Sequence, residues 1–326
     1  HLAELAAFGS GRREQFALLA IIALAGALRL WRVEQGGWGA EYYSAAVRSM
    51  ALNWHNFLFA AFDPAGFISV DKPPVALWLQ VASVKLLGYH PFALMLPQVL
   101  MGVGSVSVLH RLVRRGAGAG TALAAALLLA LMPVLVAVNR TNNLDSALVF
   151  TLLLSAWALL AAAQTGRRGL LLLSMLGLGV AFNVKMLAAF IVLPAFVLTY
   201  AISAPVPLRQ RVADLLLAAP VLAACSLSWA LVSETTPPQS RPFVGSSQAD
   251  SVLELMVGHN GLGRFVALLK PAAQFAAPVR QARGGPAGGD EASGAAQPAQ
   301  AAQSAPRSAF SRLFVRTPAG PLRLFD

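Results

Sequence analysis

Long apolar runs separated by short charged turns set the pattern of this chain. Phe16 to Val33, Phe92 to Leu112, Ala119 to Val138, Leu144 to Ala163, Met186 to Ser203 and Val212 to Val232 are each of spanning length. A helix needs ~20 apolar residues to cross a ~30 Å hydrocarbon core. Leu170 to Phe182 is shorter, and Gly177 and Gly179 loosen it. Pro74 to Leu87 reaches only ~21 Å at 1.5 Å per residue and carries Gln80, Ser83 and Lys85, which predicts a surface-lying or re-entrant helix instead of a span. If it does not cross, the clusters Arg12/Arg13, Arg111/Arg114/Arg115, Arg167/Arg168 and Arg209/Arg211 all fall on one side. The positive-inside rule then predicts seven spans. Residues 1–15 are cytoplasmic in that arrangement, 16–232 form the membrane domain, and loop 34–91 and segment 233–270 lie outside. Arg29 and Arg32, near the outer end of the first span, run against this and require either snorkelling or a function.

Composition supports the pattern. Hydrophobic residues make up 57% and charged residues 12% of 326 residues, and mean hydropathy is +0.63, which excludes a soluble globule of this size. The net charge of +11 sits in turns between apolar runs, so it points to membrane orientation and not to nucleic acid. The single Cys225 excludes a disulfide framework and a thiolate zinc site. Residues 271–326 form a tail whose Pro271 to Ala309 stretch is rich in Gly, Ala, Gln, Ser and Pro. It is expected to be disordered, because it cannot bury a core.

Candidate chemistry collects in the outer loops. Glu41 opens a predicted short helix on which Tyr43, Val47, Met50 and Trp54 form an apolar stripe, with Glu41, Ser44 and Arg48 on another face. Asp71-Lys72-Pro73-Pro74 precedes the short apolar helix, where Asp71 suits a cap. Lys72 is out of place at a helix N-terminus unless an anion binds there. Asn139-Arg140-Thr141-Asn142-Asn143-Leu144-Asp145 is a dense polar patch. Asp145 starts a span, where its charge needs a partner or a wet cavity. Asn183 and Lys185 fall at the same membrane face. A capped turn and a solvated Glu–Arg face account for much of this without function. The convergence of carboxylates and cations at one lipid boundary suits a substrate with a phosphate head and an apolar tail. The histidines show no metal-ligand spacing, so no metal is expected.

Five motifs in order carry a family resemblance. Glu41-Tyr-Tyr-Ser-Ala-Ala-Val-Arg-Ser-Met50, Asp63-Pro-Ala-Gly-Phe-Ile-Ser-Val-Asp-Lys-Pro-Pro74, Asn139-Arg-Thr-Asn-Asn-Leu-Asp145, Ala181-Phe-Asn-Val-Lys-Met-Leu187 and Arg241-Pro-Phe-Val-Gly-Ser-Ser247 resemble bacterial members of glycosyltransferase family 39. That family belongs to the GT-C superfamily, with protein O-mannosyltransferases and lipid A aminoarabinose transferases. The resemblance implies an all-α polytopic membrane protein, with a helix bundle and outer juxtamembrane helices, in the bacterial inner membrane. It implies transfer of a sugar from a polyprenyl-phosphate donor to an acceptor hydroxyl of a glycan, lipid or protein at the outer face, with inversion and no further cofactor. Glu41 matches the family's acidic base, Asp71 the acid before the Lys-Pro-Pro motif, Lys72 its phosphate-contacting lysine and Asp145 an acid heading a later span. Arg140 and Lys185 are assigned to the donor phosphate by placement, with Arg48 and Asn143 as further candidates. Relatives continue past the motif Gly320-Pro-Leu-Arg-Leu-Phe325, and the chain starts without Met, so a truncated product is expected. The competing readings are a transporter or lipid flippase, which would carry charges at mid-span and two similar halves, and an inactive membrane module.

Overall fold

A computed structural model describes residues 2–258 and 260. The expectations for the tail and for the motif at 320–325 lie outside them. The helices are α1 Leu2–Leu30, α2 Glu41–Met50, α3 Trp54–Phe59, α4 Val75–Leu87, α5 Pro91–Leu131, α6 Pro133–Asn139, α7 Asp145–Thr165, α8 Arg168–Lys185, α9 Leu193–Ser203, α10 Leu208–Thr235 and α11 Val252–Val257. Among the described residues no strand forms, only isolated bridges from Ala61 to Ser69 and from Ile68 to Phe243. The protein is an all-α, multi-pass membrane protein.

Among the described residues four helical stretches are long and apolar enough to cross a membrane: Pro91–Leu131, Asp145–Thr165, Arg168–Ser203 and Leu208–Thr235. Seven runs become four because two stretches each join a pair of runs and because charges interrupt the α1 run. The joined pairs are hairpins. Gly118 leaves helical geometry inside α5, at φ 82° and ψ 174°. Val106 nonetheless packs with Ala126 and Ala130, which a straight helix would hold ~30 Å or more apart. Likewise α8 stops at Lys185, where Met186 takes φ 49°. Arg168 at its start and Tyr200 in α9 then meet on one carboxylate, Asp214, at 2.5 and 2.8 Å.

These reversals sort the termini. One end of the bundle gathers Glu14 with His110 and Arg114, Arg168 with Asp214, and thus the four arginine clusters. The opposite end gathers the α1–α5 loop, residues 139–145, Lys185 and the segment after Ser233. Two larger apolar cores hold the bundle: one runs along α7 to α10 from the basic end to the segment after Ser233, the other joins α2, α4 and the first arm of α5. Leu128, Ile191, Ile202 and Leu216 remain exposed on the long helices, as a lipid-facing surface requires. Gly177 and Gly179 do not loosen α8. A Cβ on them would lie 2.4 Å from Ser155 Oγ and 2.6 Å from Cys225 Cβ, so they let α7 and α10 approach closely.

Helix α4 is 13 residues long, short of a span. Gln80 and Ser83 are internal pins, Gln80 donating to the Asn142 carbonyl at 3.1 Å and Ser83 to that of Ala93 at 2.6 Å, while Lys85 is exposed.

Candidate active site

The loop after α1 is shaped around Asn142. Its side chain accepts from the Ala40 N–H at 2.7 Å and donates to Ser44 Oγ at 2.8 Å. Gly39 sits at φ +64°, and a Cβ there would fall 2.6 Å from Met95 and 2.7 Å from Asn142 Oδ1, so only glycine closes this corner. Trp38 stacks on Tyr89 at 4.8 Å. The start of α2 is thereby fixed, with Glu41 exposed in its first turn, where the helix dipole favours a carboxylate. Ser44 does not share the exposed face of Glu41 and Arg48. It is buried and donates to the Trp38 carbonyl at 2.5 Å. Trp54 leaves the predicted stripe, because α2 ends at Met50 and Trp54 starts α3, largely exposed. Arg48 lies over the Tyr89 ring at 5.6 Å.

Asp71 does not cap α4. The helix starts at Val75 with Pro74 at the cap position, because the two prolines hold the chain outside the helix until then. Lys72 is buried, with Nζ 2.5 Å from Asp71 Oδ2 and 2.6 Å from Asn260 Oδ1. Asn260 donates back to the Asp71 carbonyl at 2.8 Å and to Met186 Sδ at 3.2 Å. The Asp71 N–H donates to the Tyr42 hydroxyl at 3.1 Å, which sets the Asp71–Lys72 turn against the first turn of α2. Burial and then the Asp71 charge push the Tyr42 phenol up to about 12.

Asp145 finds its partner in Lys185, an ion pair joining the start of α7 to the end of α8. The next residue, Met186, is buried in a backbone region that bulky residues rarely occupy, and it touches Asn260. The result is a circuit of contacts joined by short stretches of chain: Tyr42, Asp71, Lys72, Asn260 and Met186, then its neighbour Lys185 paired with Asp145, and three residues before that Asn142, which holds Ala40 and Ser44. Glu41 stands inside its first step, and Asn143 is half-buried between Asn142 and Asp145.

Arg140 lies outside the circuit. Its guanidinium donates to the Leu28 and Trp31 carbonyls at 2.9 and 2.6 Å, which holds the C-terminal end of α1. Arg29 is also structural and does not snorkel. It is 1% exposed, with Nε on Asn139 Oδ1 at 2.8 Å, Nη1 on the Ala130 carbonyl at 3.0 Å and Nη2 on that of Leu129 at 3.4 Å. Pro133 has no N–H to give Leu129, so Arg29 supplies the hydrogen bond that the α5–α6 bend removes. Gly102 leaves the room: a Cβ there would lie 2.2 Å from Asn139 Oδ1.

Tyr42, Asn142 and Asn260 join the site without having been singled out from sequence. Asn142 carried a signal, as a polar residue between two apolar spans; Tyr42 and Asn260 carried none. Among the described residues no three His, Cys, Asp or Glu side chains gather as metal ligands.

Residues 71–229 match the sequence family described as dolichyl-phosphate-mannose-protein mannosyltransferase. Two Bacillus subtilis proteins named as candidate mannosyltransferases are similar. YycA is 48% identical over 253 residues, 78% of this chain and 37% of its own. YkcB is 44% identical over 254 residues, 78% of this chain and 36% of its own. The chain therefore spans little more than a third of either relative. The crystal structure of ArnT from Cupriavidus metallidurans in the apo state superposes with a TM-score of 0.52 at 23% identity, over 72% of this chain and 43% of that one, a likeness of fold. The sequence matches, with a fold to agree, point to the glycosyltransferase family 39-like membrane proteins of the GT-C type.

Proposed function

We propose that the chain is the membrane-embedded catalytic part of a glycosyltransferase that moves a mannose-type sugar from a polyprenyl-phosphate donor to an acceptor hydroxyl. The observation that carries this reading is the circuit at one end of the bundle. It sets an exposed carboxylate, Glu41, one residue from the Tyr42 contact that anchors Lys72. Glu41 takes the acceptor proton as the oxygen attacks the anomeric carbon. The bond to the phosphate breaks on the opposite face, which inverts the centre, and the polyprenyl phosphate leaves with its added negative charge. Lys72 holds that phosphate, with Lys185 as the second cation. Both are oriented in advance by carboxylates, so little reorganisation is needed as charge develops. Arg140 is given no part, since its Nη1 is bound to the end of α1. The prenyl chain stays in lipid because the circuit lies where the long helices end. The arginine-rich end faces the cytoplasm and the circuit faces outward.

The test is transfer by the full-length protein in membranes supplied with labelled polyprenyl-phosphate mannose. Label is expected to leave the donor and appear on an acceptor; an intact donor after prolonged incubation would sink the proposal. Orientation is read from cysteines placed at the exposed positions Ala45 and Ser246, which should be labelled from outside. Labelling only from the cytoplasmic side would reverse the assignment.

A further inference from the structure

A second pocket lies where loop 63–68 meets segment 238–250. The Asp63 carboxylate draws in the N–H groups of Ala65, Phe67 and Ile68 at 3.0, 2.9 and 3.0 Å, which curls the loop on itself. Its far limb pairs with the second segment: the Phe243 N–H donates to the Phe67 carbonyl, and the Ser69 N–H to that of Phe243, both at 2.8 Å. Between them opens a pocket of about 530 Å³ lined by His55, Phe67, Gln239, Arg241, Phe243 and Asp250, among others. That volume is within the ~300–1,000 Å³ usual for small-ligand sites.

Its chemistry is mixed. Phe67 and Phe243 are 77% and 43% exposed, two aromatic rings left open at the mouth. Beneath them Arg241 binds Asp250 through Nη1 at 2.7 Å and its carbonyl through Nη2 at 2.7 Å. The Arg241 side chain is 5% exposed, and its Nε–H is buried with no acceptor among the described residues. A buried donor of this kind is costly unless something accepts from it. His55 meets the Ser240 carbonyl at 3.2 Å, which ties α3 to the same wall.

Arg241 and Asp250 cancel in charge, so the pocket is poorly suited to an anion. Open rings above a polar floor suit a flat ligand with one apolar face and hydroxyls around its edge. We propose that this pocket binds a neutral pyranose ring of the acceptor glycan, its C–H face against the more exposed Phe67 and its hydroxyls on Gln239, Asp250 and Arg241 Nε–H. The inference rests on the transferase reading for the word acceptor, but saccharide binding is measurable without it.

The probes are α-mannotriose, chitotriose and cellotriose, added to the full-length protein in lipid nanodiscs and followed by saturation-transfer NMR. At least one is expected to bind. Phe67→Ala should weaken it about tenfold or more, and Phe67→Trp should restore it. Phe67 is exposed, so its truncation leaves no core cavity. If all three sugars fail to bind, or Phe67→Ala binds as wild type does, the pocket is not a saccharide site. Displacement of the bound sugar by brominated lipid approaching the Phe67→Trp indole would also overturn it, in favour of membrane contact. Donor consumption is read separately in wild type. Consumption without saccharide binding refutes this pocket alone; binding without consumption keeps the pocket and removes the transferase reading.

Discussion

Each end of the bundle carries a carboxylate, a cation and a tyrosine. At the basic end Arg168, Asp214 and Tyr200 close on one another. Asp214 and Tyr200 are fully buried, and each Asp214 oxygen accepts one bond, from Arg168 and from Tyr200. At the opposite end Lys72, Asp71 and Tyr42 use the same chemical groups differently. Tyr42 accepts from the backbone N–H of Asp71, and it is 41% exposed beside the exposed Glu41. The first trio knits three helices, and although Arg168 is half exposed, its carboxylate and tyrosine have no surface to offer a ligand. The second joins the first turn of α2 to the Asp71–Lys72 loop, and its tyrosine and neighbouring carboxylate remain reachable. Shared residue types thus do not mark shared roles; what differs is whether the groups satisfy one another inside helices or are held at an open edge.

Substitutions separate the two trios. Glu41→Gln keeps the shape and removes the proton acceptor, so single-turnover label transfer should fall about 10²–10⁴-fold with donor affinity little changed. Near-normal turnover with chemistry rate-limiting would move the base to Asp71. Lys72→Ala should cost about 10²–10³-fold in turnover and also weaken donor binding, because phosphate charge grows in the transition state. A purely structural lysine would lower Tm and leave the turnover of the folded fraction intact. Asp214→Ala should destabilise by about 1–3 kcal/mol, since the buried Tyr200 hydroxyl loses its acceptor, and, unlike Lys72→Ala, should leave transfer per folded molecule unchanged. Loss of transfer at unchanged Tm would erase the distinction. The smallest effect is spectroscopic. Tyr42 should ionise at about 12, and Asp71→Asn should bring it down toward the ordinary value near 10, because the Asp71 charge opposes the tyrosinate. An unaltered ultraviolet titration would disconnect Tyr42 from Asp71.

The spans, the basic end and the polar patches were legible in the sequence because hydropathy and charge act locally. What distance hides was not. Gly118 and Met186 read as ordinary positions, yet both turn the chain back on itself. Arg29 looked like a charge at odds with its span, yet it serves the bend at Pro133, and Arg140 binds the end of α1, contacts that depend on carbonyls about a hundred positions away. Ser44 was assigned by periodicity to the polar face, but the α1 loop folds over it. The start of α4 is delayed by two prolines, which took the cap from Asp71. Asn260 could not have been found, since its meaning comes only from Lys72, 188 positions earlier.

The Arg29 clasp also bears on how the protein is made. Its acceptors on Leu129, Ala130 and Asn139 lie 100 to 110 residues further along the chain. During synthesis the first span is therefore complete long before any of them has emerged. An arginine in an apolar span is costly to insert until it finds hydrogen-bond partners or reaches the interface. The α1 segment on its own is thus a weak signal for the insertion machinery, and its final seat in the bilayer is secured by the helices that follow it. Arrest of translation before residue 129 should leave α1 extractable or mis-seated. Release beyond residue 139 should fix it in place.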